Sequence, residues 1–185
     1  MNVLVTGGSG FLGSHLVDAL TAAGAISADA PTTFAGNDLV ILVPAGNPKG
    51  VRGPADLAQA TRLTTGDPAA APHGAKAKEW LTSISLWDLT QPKFAFAANA
   101  AQTDDYVARG EVDAGIGFAS DAKGRGDIEI AYTVPAAEYT AVTYVAAPIN
   151  ASSQPRLAAS FVEYLLTPEV QTALADAGLK SAPPR

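Results

Sequence analysis

Asn99-Ala100-Ala101-Gln102-Thr103-Asp104-Asp105-Tyr106-Val107-Ala108-Arg109-Gly110-Glu111-Val112-Asp113-Ala114-Gly115-Ile116-Gly117-Phe118 is a helix, a tight turn and a buried strand in twenty residues. Asn99 is a good N-cap for a helix over residues 100–108, and Arg109-Gly110-Glu111 closes it. Ala114 to Phe118 is small and apolar throughout, which suits a strand covered on both faces. The same alternation extends in both directions. Before it come a strand at Lys93 to Ala97 and a helix from Pro72 through Trp80 to Ile84, entered from the turn Gly66-Asp67-Pro68. Earlier still are a strand at Arg62 to Thr65, a short helix start at Pro54 to Gln59 and a strand at Asp38 to Val43. After it come strands at Ile128 to Val134 and Val142 to Ala147, then helices at Gln154 to Leu166 and Pro168 to Ala177. Strands alternating with helices across short turns predict an α/β fold with mainly parallel sheets.

Composition narrows the function classes. The chain has 185 residues and a formal net charge of −6, with its twelve basic residues scattered. A nucleic-acid backbone requires a basic stripe, and there is none. Hydrophobic residues make up 48% and charged residues 16%, ample for a core and incompatible with general disorder. The longest apolar run, Leu39 to Val43, is far short of the roughly 20 residues that span a bilayer. With no cysteine and only two histidines, His15 and His73, thiolate chemistry and multi-histidine metal sites are both excluded.

The N-terminal segment carries a motif of its own. Val3-Leu4-Val5 reads as a buried strand, Thr6 to Gly10 as a glycine loop, and Phe11 to Ala23 as a helix stopped by Gly24. Gly8-Ser9-Gly10-Phe11-Leu12-Gly13 fits G-x-G-x-x-G between strand and helix, the context in which backbone amides meet a pyrophosphate. The stretch Thr6 to Gly13 resembles the opening of nucleotide-sugar epimerases and other extended short-chain dehydrogenases. That resemblance implies NAD or NADP as cofactor, with Gly7, Gly10 and Gly13 forming the cradle. It stops near residue 20, because no Tyr-x-x-x-Lys follows anywhere in the chain. Hydride chemistry therefore lacks its proton donor, and no enzyme is expected. Nothing before Val3 has the basic and apolar regions of a secretory signal, so the chain as written reads as cytoplasmic.

From Val17 onward a second family shows. Thr33-Phe34-Ala35-Gly36-Asn37-Asp38-Leu39-Val40, Pro44-Ala45-Gly46-Asn47-Pro48, Gly66-Asp67-Pro68, Pro72-His73-Gly74-Ala75-Lys76-Ala77-Lys78-Glu79, Leu86-Trp87-Asp88 and Leu165-Leu166-Thr167-Pro168-Glu169 resemble, in order, the periplasmic molybdate-binding proteins of ABC transporters. The resemblance implies a type II periplasmic-binding-protein fold of two lobes. The first lobe, residues 1–43 and 142–185, would be abbreviated, and the second would span 44–141. It also implies a periplasmic location, an ABC permease as partner, and a tetrahedral oxyanion (molybdate or tungstate) as ligand, held in the cleft by uncharged donors. Two helix starts, Pro72-His73-Gly74 and Asn99-Ala100, can present such donors. Family contacts map onto the backbones of His73 and Ala100 and onto Phe118, where the family has a tyrosine. Phenylalanine has no hydroxyl to donate. Ser9 falls near the family's first ligand serine.

Two unlike segments in one chain read as a chimera, and two alternatives stay open beside oxyanion capture. One is an NAD(P)-binding fragment of an epimerase-type oxidoreductase, and the other a scaffold that binds nothing. Plain readings cover the remaining candidates. His73 is expected to contribute its backbone N–H and no side-chain chemistry, Asp104 and Asp105 to form a solvated face that offsets the helix dipole, and Asp67 and Asp121 to be turn residues.

Overall fold

The computed structural model describes residues 11–27 and 29–182, with side chains from Val17 onward. Its contacts divide the chain into two units, one comprising residues up to Asn37 and from Ala141 onward, the other Asp38–Thr140.

The first unit holds α1 (Phe11–Ala22), β1 (Thr32–Asn37), β7 (Val142–Ala146), α7 (Pro155–Tyr164), α8 (Pro168–Asp176) and the two-residue β8 (Lys180–Ser181). Gly24 and Gly178 end α1 and α8 in the left-handed conformation that favours glycine at a helix C-terminus. The strands form one antiparallel sheet in the order β7-β1-β8, with Thr32 opposite Ala146 and Asn37 opposite Val142. A small core of Phe34, Ala35, Ala146 and Val162 lies against Leu165, Leu174 and Leu179. The sequence predicts a turn-rich link where β1 lies. Thr-Thr-Phe-Ala-Gly-Asn has weak strand propensity, and pairing with β7 on one side and β8 on the other overrides it.

The second unit holds β2 (Leu39–Pro44), α2 (Pro54–Leu57), β3 (Leu63–Gly66), α3 (Pro72–Ser83), α4 (Trp87–Thr90), β4 (Phe94–Ala97), α5 (Ala100–Ala108), β5 (Ala114–Phe118), α6 (Ala119–Ala122) and β6 (Ile128–Thr133). Its five-stranded sheet runs β4-β3-β5-β2-β6. Strand β2 is completely buried from Leu39 to Val43, as its apolar run requires. That strand pairs with β5 and β6 of the second unit. The contact boundary therefore falls before β2, whereas the boundary expected at residue 43 leaves β2 in the first lobe.

The five-stranded sheet is mixed and the three-stranded sheet antiparallel, so neither is mainly parallel. Among the described residues parallel pairing is confined to β3–β4 and β3–β5, where α3 and α5 provide the crossovers. All other pairs are antiparallel, because β1, β2, β6, β7 and β8 are not joined to their neighbours by β-helix-β units.

One buried polar contact supports β2. The Leu39 amide donates to the Tyr139 hydroxyl at 3.1 Å in a buried setting. Tyr139→Phe would leave that amide unsatisfied, so urea unfolding should show a loss of about 1–2 kcal/mol. An unchanged unfolding midpoint would contradict this role.

Candidate functional site

The site is built where β3 and β4 give way to their helices. The chain leaves β3 outward to β4 through α3, then returns past β3 to β5 through α5. Right-handed crossovers in opposite directions place the two helices on opposite faces of the sheet. The packing agrees. Val107 of α5 clusters with Val40 and Leu42 on one face. Trp80 of α3 stacks on Tyr132, which sits opposite Ile41, on the other. Such a reversal of direction marks a topological switch point at the carboxyl ends of the strands, the usual ligand position in open α/β sheets.

Helix α3 begins without a capping side chain. Ala71 occupies the N-cap position in extended backbone, and Pro72 follows with no amide to satisfy. The first turn of a helix has no carbonyl of its own to bond, so the buried His73 and Gly74 amides have no partner within the helix. At α5 the side chains take some of the amides. Asn99 Oδ1 accepts from the Gln102 amide at 2.9 Å, and Gln102 Oε1 accepts from the Ala98 amide at 2.7 Å. This is a variant of the capping box, and it leaves the Ala100 and Ala101 amides without a capping side chain. Each helix end carries the positive pole of its dipole.

The two helix starts are joined by side chains. His73 Nε2 lies 3.1 Å from Thr103 Oγ1, and both residues are buried. Thr103 Oγ1 is in turn 3.4 Å from the Asn99 carbonyl. The His73 ring also meets the Phe118 ring edge-on, with centroids 6.2 Å apart. Burial holds the His73 pKa below its ordinary value, opposed by the negative charge of Asp121. The imidazole is therefore neutral at pH 7. Phe118 ends β5, and its amide donates to Asp121 Oδ2 at 2.9 Å.

Glycines make this approach possible. A Cβ on Gly66 would stand 2.6 Å from His73 Cε1 and Nε2 and 2.5 Å from Ala71 Cβ. The imidazole thus crosses the end of β3 through space that any other residue would fill.

His73, Ala100 and Phe118 are accordingly placed at the ends of neighbouring elements of one unit, with His73 touching Phe118 and reaching α5 through Thr103. Ser9, Gly7 and Gly10 lie outside the described residues. Gly13 is the third residue of α1, in the other unit. The His73 side chain, of which no chemistry is expected, has a structural contact with Thr103. The sequence reading names Gly74 as part of a donor helix start and Gly66 as a turn residue, but it misses Thr103 and the close packing at both glycines. Their signals were present only as the spacing Asn99-x-x-x-Thr103 and the two glycines that bracket the β3–α3 turn.

Asp104 also departs from expectation. Asp105 is half-buried, but Asp104 is only 6% exposed, and its Oδ1 is buried with no hydrogen-bond partner. Asp121 of α6 and Arg125 of the segment after that helix act on Asp104 electrostatically. Burial first, and repulsion from Asp121 second, push its pKa up to about 7. The expected solvated face is thus half right.

Among the described residues no group of acidic, histidine or cysteine side chains could hold a metal ion, and no helix is long and apolar enough to cross a membrane.

The family model for bacterial extracellular solute-binding proteins matches residues 11–180. The chain belongs to that family. An assigned ABC transporter substrate-binding lipoprotein of Bacillus subtilis, YvgL, is 30% identical over 138 residues, which is 75% of this chain and 53% of that protein. The molybdate-binding protein ModA of Escherichia coli is 29% identical over 143 residues, covering 74% of this chain and 55% of that one. The chain spans about half the length of the curated relatives it matches. Among solved structures, a substrate-binding domain assigned to a molybdenum ABC transporter of Clostridium difficile superposes with a TM-score of 0.85 at 25% identity. That match covers 92% of this chain and 75% of that one. The Azotobacter vinelandii periplasmic molybdate-binding protein shares the fold, with a TM-score of 0.72 at 20% identity over 93% of this chain and 76% of that one. The fold is the α/β periplasmic-binding-protein type. The matched region starts at residue 11, so the glycine loop at Thr6 to Gly10 lies outside it. Nothing in the match supports an epimerase segment or a chimera.

Proposed function

We propose that this protein binds a tetrahedral oxyanion, molybdate or tungstate, and passes it to an ABC permease without catalysis. The observation that carries this reading is the pair of helix starts at His73-Gly74 and Ala100-Ala101. Their uncapped amides lie at the carboxyl ends of adjacent parallel strands and are tied together by a buried contact. Hydrogen bonds to a charged group contribute about 1.5–3 kcal/mol each, so a few converging amides suffice for tight capture without a cation. The molybdate specificity named for its relatives supports the choice of anion. Phe118 can supply no hydroxyl, so its contribution is apolar contact and the edge-on support of His73. Family membership also favours a location outside the cytoplasm.

Calorimetric titration of the full chain with molybdate, tungstate, sulfate and NAD tests the reading. Heat is expected with molybdate and tungstate, while NAD should be silent. Heat from NAD alone would favour the glycine loop of Gly7, Gly10 and Gly13 as a nucleotide cradle. Silence with every oxyanion would overturn the proposal. Ser9→Ala within the same series tests whether that hydroxyl joins the ligand shell, in which case affinity for molybdate should fall by about tenfold.

A further inference from the structure

We propose that the His73 imidazole and the Thr103 hydroxyl act as a positioning strut that fixes the spacing between the first turns of α3 and α5, and so sets oxyanion affinity. This rests on the oxyanion reading above and gives the His73 side chain a role that its backbone amide does not cover.

The argument starts from topology. Helices α3 and α5 cover opposite faces of the sheet, so the sheet edge itself separates their first turns. Nothing in either helix's own backbone ties one start to the other. The link that does is His73 Nε2 to Thr103 Oγ1, which joins residues thirty apart in sequence. It is relayed to the α5 N-cap, since Thr103 Oγ1 lies 3.4 Å from the Asn99 carbonyl. If the Thr103 proton goes to that carbonyl, its oxygen accepts from Nε2–H, which selects the Nε2–H tautomer of a neutral ring.

The surroundings leave the ring little freedom. Gly66 lies beneath it, where a Cβ would stand 2.6 Å from Nε2, and the Phe118 ring meets its edge at 6.2 Å. Packing on both sides locks the rotamer that reaches Thr103. A ligand held by amides from two helices depends steeply on their separation, because each donor has to meet its oxygen at about 2.7–2.9 Å. Rigid support of this kind improves affinity by lowering the ordering cost of binding. Thr103 lies a full turn into α5, so its hydroxyl acts through the first turn and not on the anion.

The test is a double-mutant cycle read by molybdate titration, with thermal melts of every variant. His73→Ala and Thr103→Val are each expected to weaken molybdate binding by about tenfold, and the double variant by about the same factor, because either change removes the whole strut. His73→Gln, which can place an amide nitrogen where Nε2 stands, is expected to recover binding to within about threefold of the unmodified protein. A general loss of stability would not be rescued by Gln and would not be non-additive. Binding unchanged in both single variants, or losses that multiply in the double, would overturn the strut while leaving the oxyanion reading intact. Silence of the unmodified protein toward molybdate, tungstate and sulfate would overturn the oxyanion reading itself, and the strut with it. Should His73→Ala fail to fold, Thr103→Val and His73→Gln, both close in volume to the originals, still decide the question.

Discussion

Asp104→Asn should make the protein more stable at pH 8 than the unmodified chain, with the advantage shrinking as the pH falls toward 4. The cause is the buried, half-satisfied carboxyl on α5. Its Oδ1 has no partner, and its Oδ2 is 3.9 Å from Arg125 Nη1. Arg125 is already engaged by Asp127, with Nε to Oδ1 at 2.8 Å and Nη2 to Oδ2 at 2.7 Å, and Asp105 competes for it at 3.9 Å. One guanidinium thus faces three carboxylates, with Asp121 adding negative charge from α6. The folded protein holds the Asp104 proton up to about pH 7, whereas the reference carboxyl releases it near 3.8. A raised folded-state pKa contributes stability that is complete below the unfolded value and is lost as the pH climbs to the folded value. The window is therefore about pH 4 to 7. At 1.36 kcal/mol per pKa unit the full effect is on the order of 4 kcal/mol. Asn stays neutral throughout and still carries a polar head, so a gain on the order of 2 kcal/mol at pH 8 is expected. Urea unfolding at pH 5, 6, 7 and 8 measures it. Parallel stability curves for the two proteins would show that Asp104 is not the group that titrates.

That carboxyl also marks where the sequence stops being informative. Asp104 and Asp105 are adjacent acids in the middle of a helix, and their adjacency alone suggests one outward face. Helix geometry in fact turns neighbours about 100° apart, so one of the two can point inward. Only the path of residues 119–127 decides which one does. His73 presents the same difficulty. A histidine after proline at a helix start shows its backbone role at once, but its partner is thirty residues away and invisible to any local pattern. Local signals were read well where they are self-sufficient. The Leu39–Val43 run is completely buried, Asn99 caps α5 with its side chain, and Gly110 takes a positive φ where the helix closes. Strand β1 was missed because its strand character comes from β7 and β8, not from its own residues.

Gly74→Ala should destabilise the protein and weaken the molybdate binding proposed above, although the same exchange inside an ordinary helix is favourable by close to 1 kcal/mol. Gly74 is the third residue of α3, where helix α3 crosses the end of β3. An added Cβ would overlap the Gly66 carbonyl oxygen and stand 2.5 Å from its carbon and 2.9 Å from the Asp67 carbonyl carbon. All three atoms are backbone, so no rotamer change relieves the contact. The first turn of α3 has to move away from β3 by about the overlap. Overpacking of this kind costs roughly 1–3 kcal/mol, and a backbone neighbour places it at the upper end, so about 3 kcal/mol is expected. The displacement carries the His73 and Gly74 amides with it, and the His73 ring is pulled from Thr103. Loss of both effects at the anion should weaken molybdate binding by about a hundredfold, near 2.7 kcal/mol. Gly126→Ala is the control, because nothing lies within 4 Å of the atom it adds and its φ is unexceptional. It should change stability by less than about 1 kcal/mol and leave binding alone. If Gly74→Ala instead behaves like that control, α3 starts with room to spare. The close seating of its first turn on β3 would then have no part in holding an anion.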